Sequence, residues 1–177
     1  MMNFNPLKTV LILSLFILSC SSDDDSSQSN TVYGIIQLSG PDTSSVGTSL
    51  TVGNVSANAL GSTGTSSSVI LVDENTEIEN GVPNPSDFSN VFVIVAAEFT
   101  NADNAAVNKS ISMTIVKNGD EYRYVCSTPA INAADDTDCG TGFSVNKVTK
   151  IVEFDNTTVI NTESGTILTM NGTINYN

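Results

Sequence analysis

Asp135-Asp136-Thr137-Asp138 is the densest group of acidic residues beyond residue 30, and it lies between two cysteines, Cys126 and Cys139. Carboxylates at alternate positions can ligate calcium. A calcium-binding loop also needs a third acidic ligand at the right offset and a glutamate at its far end, and this segment has neither. The cluster therefore reads as a solvated loop, with calcium ligation by Asp135, Asp136 and Asp138 as the alternative. The acidic run Asp73-Glu74-Asn75-Thr76-Glu77-Ile78-Glu79 is read the same way. Twelve residues separate the two cysteines, whereas a redox pair favours the tighter Cys-x-x-Cys spacing.

The chain has no histidine and no tryptophan. Without histidine there is no Ser-His-Asp triad, no Cys-His pair and no His-ligated zinc. Two carboxylates alone can hydrolyse a glycosidic bond, but four tyrosines and no tryptophan make no evident platform for stacking sugar rings. No glycine-rich phosphate loop follows a strand and opens a helix. The expectation is a protein that is not an enzyme, with a carboxylate-only hydrolase as the alternative.

The elements that position these residues begin with a greasy leader. Met1 to Lys8 carries one positive side chain, and Val10 to Leu18 is apolar apart from Ser14. That is the length of a secretory signal and short of the roughly 20 residues needed to span a bilayer. Ile17-Leu18-Ser19-Cys20 resembles the bacterial lipobox, with Ile17 where leucine is usual. The resemblance implies that Cys20 becomes the first mature residue and carries a diacylglycerol thioether plus an acyl chain, and several chains together anchor a protein stably. Ser21-Ser22-Asp23-Asp24-Asp25 is similar to the Ser/Asp cluster that follows the lipidated cysteine in lipoproteins of the Bacteroidota, where it acts as a signal for export to the cell surface. These resemblances cover only about the first 25 residues of the sequence. Cleavage before Cys20 would leave five lysines and arginines against 19 acids, a net charge of −14. Such a surface repels phosphate backbones and anionic headgroups, so nucleic acid is not an expected partner.

An exported chain sits in an oxidising compartment. Once Cys20 is lipidated, Cys126 and Cys139 remain, and a disulfide between them is implied.

From residue 31 onward the sequence is rich in Thr, Ser, Asn, Val and Ile, with turn residues spread evenly through short alternating runs. The runs predict about eight strands, at 31–38, 48–56, 67–73, 91–100, 109–117, 121–127, 147–161 and 166–176. Asn118-Gly119 reads as a type I′ turn that sets Ile115 opposite Tyr122, Met113 opposite Tyr124 and Ile111 opposite Cys126. For the last pair, a three-residue loop at Glu163-Ser164-Gly165 would set Ile160 opposite Leu168, Thr158 opposite Met170 and Phe154 opposite Ile174. Phe154, Thr158, Ile160, Leu168, Met170 and Ile174 would then be buried, with Glu153, Asp155, Thr157 and Asn171 outward. A two-residue loop, placing Ile160 beside Ile167, is the poorer match. Val91 to Ala97 is apolar on both faces, as in a strand covered on both sides.

The expected organisation is a signal peptide at 1–19, a lipidated acidic tether at 20–30 and a single β domain at 31–177. That domain is expected to be an all-β antiparallel sandwich, with a closed or flattened lipocalin-like barrel as the alternative. The functional expectation is a surface-exposed outer-membrane lipoprotein, held to the bilayer by its acyl anchor, that binds an envelope protein or extracellular ligand through loops such as 79–90 and 101–108. Alternatives are a structural subunit docked on an outer-membrane complex, or a small-ligand carrier if the sheet closes into a cup. No cofactor is expected beyond the covalent lipid.

Overall fold

A computed structural model of the chain describes residues 31–132 and 134–176. Its strands are β1 (Gly34–Ser39), β2 (Ser49–Val52), β3 (Asn54–Ser56), β4 (Ser68–Val72), β5 (Thr76–Glu79) and β6 (Val82–Pro85), followed by β7 (Asn90–Glu98), β8 (Lys109–Lys117), β9 (Asp120–Thr128), β10 (Ser144–Asn146), β11 (Ile151–Asn161) and β12 (Ile167–Asn175). One-turn helices α1 (Thr43–Val46) and α2 (Leu60–Thr63) follow β1 and β3.

The β8–β9 hairpin shows local sequence deciding geometry. Asn118 and Gly119 sit at φ 54° and 87°, the left-handed conformations that a type I′ turn requires at both central positions. The pairs Ile115↔Tyr122, Met113↔Tyr124 and Ile111↔Cys126 follow as expected. Ile111, Met113, Ile115, Tyr124 and Cys126 are all buried, while Glu121 and Arg123 face solvent.

All pairings in the main sheet are antiparallel, and β12 returns to β1 through Gln37↔Asn171, Leu38↔Met170 and Ser39↔Thr169. The order is β2-β1-β12-β11-β9-β8-β7-β4-β3. Its two ends, β2 and β3, are consecutive in the chain with only Gly53 between them. The single strand expected over 48–56 thus pairs with β1 in its first half and with β4 in its second. The all-β antiparallel expectation holds in its barrel form: one nearly closed sheet rather than two stacked layers. Gly53 permits the crossing, because a Cβ there would lie 2.3 Å from Glu74 Cα.

The barrel interior is filled. Ile36, Val52, Leu71, Ile94, Met113, Phe143, Phe154, Leu168, Met170 and Ile174 are each at most 2 % exposed and belong to one apolar cluster. Phe143 and Phe154 stack with ring centroids 5.7 Å apart. Outside the wall, the β5–β6 hairpin folds back over β3, β4 and β7. Ile78 joins Ala59, Ile70, Val72, Val93 and Val95 in a second, smaller cluster. This explains the two-faced apolarity of β7: Phe92, Ile94 and Ala96 point into the barrel, and Val93 and Val95 lie under the hairpin.

The last hairpin departs from the expected register. The pairs are Ile160↔Ile167, Val159↔Leu168 and Thr157↔Met170, then Phe154↔Gly172 and Val152↔Ile174 after a bulge between Phe154 and Thr157. Asn161 Oδ1 accepts the Glu163 and Ser164 N–H groups at 2.9 and 3.1 Å, and Asn161 N–H bonds Thr166 O at 2.8 Å. That closes a four-residue loop at 162–165 instead of a three-residue one. The bulge then flips the parity of β11, with Asn156 at φ 49° and its N–H held by Asn171 Oδ1 at 2.8 Å. Two expectations are corrected in consequence. Thr157 is buried and Thr158 is only half-buried, while Phe154 is buried and Asp155 exposed as expected.

Candidate functional site

Strands that run up and down divide the loops between two ends. The proximal end, where the described chain begins, carries 57–67, 99–108 and 129–150, and the distal end carries 40–48, the β4–β5 and β6–β7 connections, Asn118-Gly119 and 162–165. The expected site residues fall mainly on the proximal side.

Cys126 on β9 and Cys139 are joined by a disulfide with a Cα–Cα distance of 5.1 Å. Its position explains its importance. β9 and β11 pair directly only through Ile160↔Val125 and Asn161↔Tyr124. Toward the proximal end they separate, and 137–139 lies between them. Ser127 N–H bonds Thr137 O at 3.0 Å, Thr158 N–H bonds Cys139 O at 3.3 Å, and Thr158 Oγ1 donates to Asp138 O at 2.7 Å. The disulfide pins this wedge to β9 from inside the barrel, where both cysteines are buried. Beyond the wedge, β10 pairs with the start of β11 and crosses the proximal mouth, with Val145 N–H on Glu98 Oε2 at 2.8 Å.

The acidic cluster in the loop is committed to that local structure. Asp136 Oδ2 accepts from Ser127 Oγ and, at 2.9 Å, from Ile131 N–H. Asp138 Oδ1 takes Thr128 Oγ1 at 3.1 Å and Gly140 N–H at 2.8 Å, and Asp135 Oδ2 takes Asn132 Nδ2 at 3.0 Å. The three carboxylates thus turn to separate partners. Among the described residues no group of three or more His, Cys, Asp or Glu is placed to hold a metal ion.

The two loops expected to recognise a ligand differ in character. Residues 79–90 include β6, which belongs to the hairpin packed on the wall, with Ser62 Oγ bonding Gly81 O. Residues 101–108 stand at the proximal end. There Asp103 Oδ2 accepts Thr100 N–H at 2.6 Å and Oδ1 accepts Ser67 Oγ at 2.8 Å, bonds that hold its carboxyl below the ordinary value.

At the distal end the sequence reading missed a polar node. Asp42 Oδ2 accepts Tyr124 OH at 2.9 Å, Asn161 Nδ2 at 3.1 Å and Thr166 Oγ1 at 2.7 Å. Burial raises the Asp42 carboxyl, and the bonds from Thr166, Tyr124 and Asn161 outweigh it and leave the pKa below the ordinary value. Burial, followed by the bond to Asp42, pushes the Tyr124 phenol well up. The node ties α1 to β9 and to the last hairpin, with Val46 seated in the core. The only sequence signal was Pro41-Asp42 before Thr-Ser-Ser, which suggests a helix cap, yet Asp42 makes no side-chain cap bond to α1.

Replacing Asp42 with Ala would strand the buried Tyr124 hydroxyl and cost about 2 kcal/mol at pH 7. Because the folded pKa is depressed, Asp42 contributes stability above the unfolded carboxylate range and loses it as pH falls through the folded value. Urea unfolding should therefore show the gap between variant and parent narrowing between pH 7 and about pH 3. A pH-independent gap would remove the linkage.

Two open clefts flank the barrel. A proximal one of about 440 Å³ is lined by Ser66, Glu98, Ser144 and 145–148, and a distal one of about 190 Å³ opens between β2, the β4–β5 turn, β7 and β8. Cys20, Ser21, Ser22, Asp23, Asp24 and Asp25 lie outside the described residues. No family model, no curated protein and no solved structure matches the chain.

Proposed function

We propose that the chain is an exported lipoprotein, anchored in the outer membrane through Cys20 and displayed at the cell surface, whose stapled barrel serves as a non-enzymatic binding or accessory module. The observation that carries this reading is the filled interior. A carrier needs a deep apolar cavity, and the space inside this barrel is taken by buried Met, Phe, Ile and Leu side chains. A docked subunit would present a large apolar patch. Among the described residues the exposed large apolar side chains are divided among Val32, Leu60, Ile131 and Val148 on the proximal side, Phe88 and Ile167 on the distal side, and Ile35 and Val82 on the wall. Recognition is left to the ends and the clefts, and the distal end lies opposite the end at which residue 31 enters the barrel.

The test uses whole cells. Cys20→Ala should abolish acylation and release or stall the protein. Replacing Asp23, Asp24 and Asp25 together with Ala should leave acylation intact and hide the barrel from externally added protease. If the triple variant is shaved as readily as the parent, the surface assignment fails. Pull-down from detergent-solubilised envelopes with mass spectrometry separates the module from a docked subunit, because a stoichiometric partner belongs to the latter.

A further inference from the structure

Two unpaired strand edges face each other across the distal cleft. β2 stands at one end of the strand order and pairs with β1 alone, through Gly34↔Val52, Ile35↔Thr51, Ile36↔Leu50 and Gln37↔Ser49. In a ladder, the N–H and C=O groups of alternate residues point to opposite sides. Thr48 O and Val52 O accept from β1 and the residue before it, at 2.8 and 2.9 Å, while Gly53 N–H turns the other way to Val72 O at 3.0 Å. Ser49 and Thr51 share the Gly53 side, so their N–H and C=O groups point into the cleft.

The opposite edge belongs to β7. Its ladder with β4 stops at Val72↔Val93, and β7 continues to Asn90 against β8 alone. The Phe92 N–H, which a strand carbonyl would take, goes to Asp73 Oδ2 at 3.3 Å. By the same alternation the Asn90 C=O faces the cleft one step further along, while its N–H is held by the Asp87 carboxylate. The gap between the edges has the position of a β4 that ran on, but the chain turns away after Asp73 into β5. The cleft is lined by Val46, Leu50, Phe92 and Ile115 from the core and by the charged residues Asp73, Glu74 and Lys117.

We propose that this cleft takes an extended peptide of a partner protein as an added strand. The peptide main chain pairs with Ser49 and Thr51 and extends toward Asn90, and one apolar side chain of valine or leucine size enters over Leu50 and Phe92. Strand addition suits an edge with free main-chain groups, because those groups supply affinity and the pocket between alternate side chains supplies selectivity. The Asp73 carboxylate is taken up by Asn75 N–H, Thr76 Oγ1 and Phe92 N–H, which leaves Glu74 and Lys117, one of each sign, to meet an occupant, so an uncharged peptide fits better than a charged one. The inference rests on the binding-module reading and names the partner class for its distal end.

The test is an NMR titration of the isotope-labelled full chain in detergent micelles with acetyl-Thr-Val-Thr-Val-Thr-amide, up to about 10 mM, a range that covers weak peptide affinities. The amide signals of Ser49, Thr51 and Asn90 should shift, and hydrogen exchange at Ser49 and Thr51 should slow. The same peptide with N-methylated amides should bind about tenfold more weakly, because it keeps the side chains and loses the main-chain donors. Thr51→Pro, which removes one N–H from the free edge, should weaken the unmodified probe comparably. Absence of shifts at these three amides, or equal binding of the N-methylated probe, overturns the proposal whether or not the proline variant folds. That outcome beside a surface-exposed, lipidated protein would remove the strand-addition site and leave the module reading standing.

Discussion

Phe154→Ala should lower the unfolding free energy by about 3 to 5 kcal/mol, the range for removing a buried aromatic ring. Phe154 is 2 % exposed, stacks on Phe143 and lies opposite Gly172, which has no side chain to move into the space. Phe143 cannot follow the missing ring inward without pulling on its flanks, where its own O holds Lys109 Nζ and Val145 N–H is held by Glu98. The cavity would therefore stay largely open, placing the cost toward the upper part of the range. Urea unfolding should show a lower midpoint with an unchanged slope. Asp155→Ala next to it, on the exposed side of the bulge, should change stability by less than about 0.5 kcal/mol. A Phe154→Ala cost below about 1 kcal/mol would mean that the ring is not part of the core.

Replacing Cys126 and Cys139 together with Ala should cost about 3 kcal/mol in the chain-entropy account, given a sequence separation of 13. The loss should be local before it is global. Two direct residue pairs and the Thr162 N–H bond to Arg123 O at 2.9 Å join β9 to β11 at the distal end, and the proximal part of that seam runs through the wedge at 137–139. Without the staple, the wedge is held by the backbone bonds of Ser127 and Thr158 and a few side-chain bonds such as that from Thr158 Oγ1. Amide exchange at Ser127, Thr137 and Thr158 should accelerate well ahead of Met113 and Tyr124 on the continuous β8–β9 ladder, the behaviour of a sub-global opening. Exchange of both groups in step would show that the disulfide stabilises the barrel evenly. Free thiols at both positions in oxidised, exported protein would end the argument altogether.

The two hairpins show where local sequence suffices. In β8–β9, turn chemistry and side-chain alternation agree, and every expected pair forms. In β11–β12 the three-residue expectation ends the loop on Gly165. Gly165 does take a left-handed φ of 72°, but the Asn161 side chain, which caps the loop from one residue before it, sets its length. The bulge beyond it reverses the inward parity, so Thr157 goes in where Thr158 was expected. The period of a strand carries no sign of an inserted residue, because the alternation on either side of it looks intact. The Asp42 node was illegible for a different reason: its partners, Tyr124, Asn161 and Thr166, lie 82 to 124 residues away.

By itself the sequence determined the all-β class, the approximate strands, the β8–β9 register and the absence of histidine chemistry. These follow from composition, turn residues and a two-residue period, all of which act over a few neighbouring positions. Tertiary structure decided the rest. Whether the sheet closed depended on one strand changing partners at Gly53, where the Glu74 backbone comes too close for any side chain. The distal cleft exists because β4 turns away before β2 ends, and the wedge exists because β9 and β11 diverge. Each is a relation between edges far apart in the chain, set by how a twisted sheet must curve to bury one continuous core, and no local pattern of residues encodes it.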